Sequence, residues 1–119
     1  MTFQSRNLDN PDETRKFNHG EMGVVTVVGA VVGRAVFQPG WRWSEDVKPI
    51  AGTESCEAAH NGYIISGRMH VKMDDGTEGD LGPGDAFVAS PGHDAWIVGD
   101  EACVVLDWSA AGDYAKASE

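Results

Sequence analysis

Positive charge is scarce in this sequence. Nine lysine and arginine residues stand against nineteen aspartate and glutamate residues, which gives a formal net charge of −10. Nucleic-acid binding requires clustered basic side chains that contact phosphates, so this balance argues against a nucleic-acid partner. It also disfavours binding to an anionic membrane surface. The surplus acid does not select a substrate, because negative surface charge commonly serves solubility.

Long apolar runs are also absent. No stretch reaches the ~20 residues that a membrane-spanning helix needs, and residues 1–17 lack the apolar core of a signal peptide. We therefore expect no membrane partner and a cytoplasmic location. Cysteine is limited to Cys56 and Cys103. These two could form one disulfide, but two free thiols are expected in a reducing compartment.

Sustained helical periodicity is the third missing feature. The valine-rich segments 22–28 and 31–37 suit a pleated sheet, because valine is restricted at χ1, and Gly29 and Gly33 interrupt them. Two short strands are therefore expected there. Further strands are predicted at 63–66, 68–73, 78–81, 86–89, 95–98 and 102–108.

Turn signals separate these segments at regular intervals. Asp74-Asp75-Gly76 predicts a tight hairpin, because glycine supplies the positive φ that such turns require. The segments 82–85 and 90–94 each combine a proline with a glycine. This spacing predicts one all-β domain, a sandwich or barrel. We assign it to residues 19–112, between a flexible N-terminal arm at 1–18 and a C-terminal tail at 113–119.

Two segments carry a family resemblance. Residues 56–67 read CEAAHNGYIISG, and residues 82–96 read GPGDAFVASPGHDAW. Together they resemble the two motifs of the cupin superfamily, small β-barrels that often hold a metal ion in the barrel mouth, and PGHDAW is similar to a bacterial subgroup. The frame is carried by Gly67 in the first motif and by Gly84, Asp85 and Gly92 in the second. The resemblance implies a cupin double-stranded β-helix, which is a jelly-roll barrel.

The resemblance also suggests metal-ligand positions in the first motif. Counting back from its last glycine, the glutamate position of the motif corresponds to His60. With the shorter spacing, its two histidine positions correspond to Glu54 and Cys56. With the longer spacing, they correspond to Thr53 and Ser55.

In the second motif, the usual histidine position corresponds to Ala95, and His93 lies two residues earlier. The implied ligand set is therefore Cys56, His60 and His93, which suits a divalent metal such as zinc or iron. On one continuous strand, Cys56 and His60 would lie about 13 Å apart, so a shared ion requires the chain to bend between them. The alternative is a buried neutral histidine and a small buried thiol.

His93 is also the candidate catalytic residue. It stands beside Asp94 in a predicted turn, where a pocket histidine oriented by a neighbour could move protons near neutral pH. The alternative is a turn pair that caps the local backbone.

The pocket itself is expected to be apolar. Its candidate lining residues share a position near the predicted barrel mouth: Trp41, Trp43, Ile64, Phe87 and Trp96. The alternative for the tryptophans is packing in the core or in a dimer, which we favour for Trp108. His70 is expected on a solvated face, and Cys103 is expected in the core.

The preferred function is small-molecule binding, with metal-assisted chemistry on a small organic acid or oxygenated aromatic. The alternative is a non-catalytic cupin that senses a ligand or supports a regulatory partner without metal. A homodimer is also expected, because segment 22–37 is too apolar to remain an exposed edge. If the arm at 1–18 covers that edge, a monomer is the alternative.

Overall fold

The computed structural model describes residues 3–27 and 29–108. Within them the chain forms nine β-strands and two four-residue helices. In chain order these are β1 (Glu13–Phe17), β2 (Gly20–Val27), β3 (Ala30–Phe37), α1 (Trp43–Asp46), α2 (Lys48–Ala51), β4 (His60–Ser66), β5 (Met69–Met73), β6 (Glu78–Leu81), β7 (Ala86–Ala89), β8 (His93–Ile97) and β9 (Cys103–Asp107).

The strands form two antiparallel sheets. The larger has six strands in the order β1-β2-β3-β9-β4-β7, and the smaller has three in the order β6-β5-β8. Both faces that turn inward are apolar, and they share one core with Trp41 and Trp43. The all-β prediction is therefore confirmed. Because β7 and β6 each end a sheet, the barrel wall changes from one sheet to the other between them.

The valine-rich segments form the β2–β3 hairpin as predicted, with Gly29 in the left-handed region at φ 77°. The flexible arm predicted at 1–18 is wrong at its C-terminal end. Residues Glu13–Phe17 form β1, which pairs along β2 and covers its edge. Arg15 of β1 is buried and donates hydrogen bonds to Glu13. This strand was not predicted because residues 1–18 are rich in charged side chains, which an edge strand tolerates.

Alternation places the functional side chains. On β8 the inward residues are His93, Ala95 and Ile97, and on β9 they are Cys103, Val105 and Asp107. A strand that alternates in this way buries one face and exposes the other. The side chains of His93 and Asp107 therefore point into the barrel, on the same strand faces as the apolar core residues.

The two helices α1 and α2 were not predicted, because four residues are too few to show a helical period. They lead from Trp41 to the loop that carries Cys56, and α2 ends at Gly52 in a left-handed conformation. Within the described ranges, no helix has the length and apolarity to cross a membrane. The predicted tail at 113–119 lies outside the described residues.

Candidate functional site

Cys56, His60 and His93 converge inside the barrel. Each offers one ligand atom, and the three atoms lie within 4.8 Å of one another. Cys56 Sγ is 3.6 Å from His60 Nε2, and the two imidazole rings lie 5.2 Å apart between centroids. The structure thus brings together the three residues that the cupin resemblance suggested as ligands.

A bend in the chain makes this convergence possible. Cys56 precedes β4 and pairs instead with His93, whose carbonyl oxygen accepts its N–H at 2.8 Å. Residues 57–59 are irregular, and His60 begins β4. Cys56 and His60 therefore do not lie on one continuous strand, so the separation of about 13 Å expected for that case does not apply.

Asp107 anchors His60 from behind. Its carboxylate oxygen Oδ2 lies 2.5 Å from His60 Nδ1, and only 3% of Asp107 is exposed. A buried carboxylate accepts a hydrogen bond, so Nδ1 of His60 carries the proton and donates it. This leaves His60 Nε2 directed at Cys56. Asp107 is a site residue that was not predicted from the sequence, although its inward position on alternating β9 was the available signal.

His93 is held in a similar way. Its Nδ1 donates to the carbonyl oxygen of Ser90 at 2.7 Å, and 4% of the residue is exposed. In the neutral imidazole, Nε2 is then the nitrogen with a free lone pair. The turn predicted for His93 and Asp94 is wrong, because both belong to β8 and point to opposite faces. Asp94 instead accepts the backbone N–H of Ser44.

The electrostatics of the cluster favour charge separation. Burial raises the pKa of Cys56, but hydrogen bonds and charges from His60 and His93 outweigh it and lower the pKa from 9.0 to about 6. Burial lowers the pKa of His60, but Asp107 and Cys56 outweigh it and raise the pKa from 6.5 to about 9. Without a metal, Cys56 and His60 therefore form a thiolate–imidazolium pair near pH 7.

The same donor set could hold a metal ion. A thiolate and two imidazole nitrogens are ligands of zinc and of late first-row metals, and three protein ligands leave a position for water or substrate. Histidine ligands usually donate their other ring nitrogen to a carboxylate or carbonyl. Asp107 and Ser90 supply those acceptors here.

These groups face a cavity of about 40 Å³. Its apolar lining includes Met22, Ala35, Phe37, Trp41, Trp43, Met69, Val71, Phe87, Ala89, Ala95 and Val105, and its polar lining includes Cys56, His60, His93 and Asp107. The structure therefore places Trp41, Trp43 and Phe87 in the pocket. Ile64 is fully buried on the inner face of β4 but does not line this cavity.

Trp96 does not line this cavity either, and its assignment to the pocket is wrong. Alternation along β8 turns it outward, where it stacks on His70 at 4.7 Å and on the guanidinium of Arg42 at 4.2 Å. His70 is bound on its two nitrogens by Asp80 and Glu78. The solvated face predicted for His70 is therefore a packed surface cluster, and its side chain is only 16% exposed.

Two further predictions concern residues outside the site, and their outcomes differ. Cys103 is a free thiol, fully buried in the core as predicted, and burial, joined by the charge of Glu101, raises its pKa to about 11. Trp108 is 50% exposed, so it does not pack in the core, and the other possibility given for it, packing in a dimer, stays a prediction. Cys56 is also free, so the two cysteines do not form a disulfide.

Comparison with known proteins gives a fold and no close relative. No protein-family model and no curated protein matches the sequence. Among solved structures, the chain is similar to a cupin-like protein from Thermotoga maritima, with a TM-score of 0.55 and 18% identity over 80% of this chain and 71% of that one. It is also similar to the polyketide cyclase RemF from Streptomyces resistomycificus, with a TM-score of 0.63 and 14% identity over 92% and 80%.

A third similar structure is the oxalate decarboxylase of Lactobacillus farciminis, with a TM-score of 0.59 and 17% identity. The match covers 86% of this chain but only 32% of that one, so the chain spans about a third of the enzyme. At these identities the likeness concerns the fold. The resemblance in the two motifs is confirmed at that level, and the chain has the cupin fold, a double-stranded β-helix.

Proposed function

We propose that this protein is a metal-dependent enzyme of the cupin fold that holds zinc through Cys56, His60 and His93. The observation that carries the proposal is the convergence of these three side chains within 4.8 Å at the wall of an apolar cavity. Zinc is preferred over iron because a thiolate and two neutral imidazoles are its usual ligands.

The surroundings of the three residues fit this role. Asp107 and Ser90 hold the Nδ1 hydrogens of the two histidines, so Nε2 is the atom of each ring that a metal ion would bind, and binding would displace the Nε2 proton of the His60 imidazolium. The pKa of Cys56 at about 6 means that its thiolate forms without a strongly alkaline medium. When bound, a zinc ion supplies Lewis acidity to an oxygen atom of a ligand or to a water molecule.

The residues of the chain have separate tasks in this proposal. Asp107 orients His60 and supports its basicity, while the β8 backbone holds His93 against Cys56. Phe37, Trp41 and Trp43 give the cavity an apolar wall that leaves room for little water. As a ligand, His93 does not also carry protons, so the catalytic role expected for it would apply only to a metal-free site.

Of the two substrate classes expected, an oxygenated aromatic fits better than a small organic acid. Among the described residues, no lysine or arginine lines the cavity, and the one carboxylate there already accepts from His60. The similar structures include a polyketide cyclase and an oxalate decarboxylase, so the fold accommodates both kinds of chemistry.

A second candidate is metal-free thiol chemistry. Asp107, His60 and Cys56 form a continuous carboxylate–imidazole–thiol series, which is the arrangement that activates a cysteine nucleophile. A non-catalytic ligand sensor is the third candidate, and it requires neither a metal ion nor a thiolate.

A cytoplasmic location stays a prediction that suits a reduced Cys56.

Metal analysis separates these candidates. We expect about one zinc ion per chain in the wild-type protein, and a loss of metal in His60→Gln and His93→Gln. His70→Gln is the matched control, because His70 lies outside the barrel. Less than about a tenth of an ion per chain, with no recovery when zinc is added, would overturn the metal proposal.

A further inference from the structure

We infer that Cys56 is a modification site, at which hydrogen peroxide enters the cavity and oxidises the thiol to a sulfenic acid. Bulky hydroperoxides and bulky thiols do not reach it, so the oxidised residue persists instead of passing on to a disulfide. The inference rests on the proposed function only in its consequence, the loss of a metal ligand, because the oxidation itself requires no bound metal.

The first observation is the size of the space beside the sulfur. Cys56 is 3% exposed and lines a cavity of about 40 Å³ that is not sealed from solvent. One water molecule needs about 10–15 Å³ of such space, so the cavity has room for about three. Hydrogen peroxide is only slightly larger than water and fits there, whereas a peptide thiol or a hydroperoxide with an aromatic ring does not. The cavity therefore selects the oxidant by size.

The second observation is a proton relay at the sulfur. His60 Nε2 lies 3.6 Å from Cys56 Sγ, and the carboxylate of Asp107 holds the opposite nitrogen of the ring. In the oxidation, a bond forms between the sulfur and one oxygen of the peroxide, and the O–O bond breaks. His60 carries the thiol proton to the leaving oxygen, which departs as water. The sulfur loses two electrons, the peroxide is reduced, and the products are one sulfenic acid and one water molecule.

The third observation is that the chain offers this sulfenic acid no second thiol. The sequence contains two cysteines, and Cys103 is fully buried without lining the cavity. Cys103 lies four residues, or about 13 Å, along β9 from Asp107, the residue of that strand that contacts the cluster. Cys56 is itself held in place, because its backbone exchanges hydrogen bonds with His93 and Gly92. The usual condensation of a sulfenic acid with a neighbouring thiol is therefore blocked.

Oxidation would also change the proposed metal centre. A sulfenic acid lacks the negatively charged, soft sulfur that zinc prefers, and His60 and His93 alone would hold the ion less tightly. A small reductant that enters the same cavity restores the thiol, whereas a second peroxide molecule produces a sulfinic acid, which thiols do not reduce. Peroxide would therefore regulate the metal occupancy of the site.

The test compares hydrogen peroxide with cumene hydroperoxide on metal-free protein. After each reaction is quenched, the protein is unfolded, dimedone labels sulfenic acids, and peptide mass spectrometry locates the label. Dimedone does not react with the sulfoxides of Met22 and Met69, which also line the cavity. The reference protein combines Cys56→Ser with Val98→Cys, which places a thiol at a position that is 40% exposed.

The ratio of the two oxidation rates is the deciding quantity. We expect the rate with hydrogen peroxide, divided by the rate with cumene hydroperoxide, to be at least about ten-fold greater at Cys56 than at the exposed thiol of the reference. Equal ratios would show that the cavity does not select the oxidant, and would overturn the inference. A wild-type protein that gains no oxygen at Cys56 would overturn it as well.

Persistence of the product is a second readout, taken on the folded protein. Glutathione added after the peroxide should convert the reference thiol to a mixed disulfide, while Cys56 should keep its oxygen until the protein is unfolded. Dimedone added before unfolding should likewise label the reference and spare Cys56. A mixed disulfide that forms at Cys56 as fast as in the reference would contradict the exclusion of thiols.

Zinc-loaded protein tests the consequence for the metal centre. Peroxide should release about one zinc ion for each Cys56 that is oxidised, which a chromophoric chelator detects. Cys103→Ala is the matched control and should release zinc as the wild type does, because Cys103 lies outside the cavity. Zinc retained by protein with oxidised Cys56 would overturn the regulation. A protein that binds no zinc but gains the oxygen at Cys56 would contradict only the metal centre and would support the oxidation site.

Discussion

Replacing Asp107 by asparagine should reduce zinc affinity without removing any proposed ligand. The carboxylate of Asp107 accepts the Nδ1 hydrogen of His60 at 2.5 Å inside the barrel. An asparagine amide can donate as well as accept, so it allows the tautomer in which Nε2 carries the hydrogen. That tautomer cannot bind a metal ion through Nε2, the nitrogen that faces Cys56. Loss of such an outer partner typically costs 10–100-fold in affinity, or about 1.4–2.7 kcal/mol.

The assay is a competition titration with a chromophoric zinc chelator, at a pH where the wild-type protein binds one ion. Asp46→Asn is the matched control, since Asp46 is also buried and contacts a histidine, His19, away from the cavity. Thermal unfolding of both variants checks that they fold. If Asp107→Asn binds zinc as tightly as the control does, His60 is not a ligand oriented by Asp107, and the reasoning fails.

Three further predictions follow from other parts of the molecule. In metal-free protein, alkylation of Cys56 by iodoacetamide should accelerate through a midpoint near pH 6, because hydrogen bonds and charges from the two histidines outweigh burial. His60→Gln should move that midpoint upward, and an unchanged midpoint would contradict the pairing. The pKa of His70 is raised mainly by its hydrogen bond to Asp80, so its stabilising effect is complete below about pH 6.5 and is lost as pH rises through the raised value. Titration by NMR should show a lower His70 pKa in Asp80→Asn, and equal values would refute the assignment. The basis given for the homodimer is removed, because β1 pairs along β2 and covers the edge of segment 22–37, the condition under which a monomer is the alternative. A dimer stays a prediction only through another surface, the outer face of the larger sheet, where Tyr63 and Ile65 are exposed. Light scattering should give twice the chain mass for the wild type and the single mass for Ile65→Lys, whereas a single mass for both would exclude this dimer.

The fold was accessible from the sequence because its signals are local. Valine content, glycine interruptions and the Asp74-Asp75-Gly76 turn each depend on neighbouring residues, and the hairpins they predict are present. The strand β1 was missed because its one buried side chain is Arg15. Its pairing with β2 is set by the partner strand, which local composition does not reveal.

The cluster of Cys56, His60 and His93 could be suggested only through the family resemblance. Cys56 reaches His60 because residues 57–59 leave the strand path and Cys56 pairs with His93 instead. The pairing of Cys56 with His93 joins residues 37 positions apart, so no local sequence pattern indicates it. Asp107 was missed for the same reason, since its partner His60 lies 47 residues earlier. Trp96 was misplaced because the start of β8 at His93, and hence the face of each residue, was not recognised.

Anomalous diffraction at the zinc edge, from crystals of protein loaded with one equivalent of zinc, shows whether Cys56, His60 and His93 hold one metal ion. We expect a single peak per chain, about 2.3 Å from Cys56 Sγ and about 2.0–2.1 Å from Nε2 of each histidine. No peak at the cavity, or a peak bound only by surface groups such as His70 and Glu78, would contradict it.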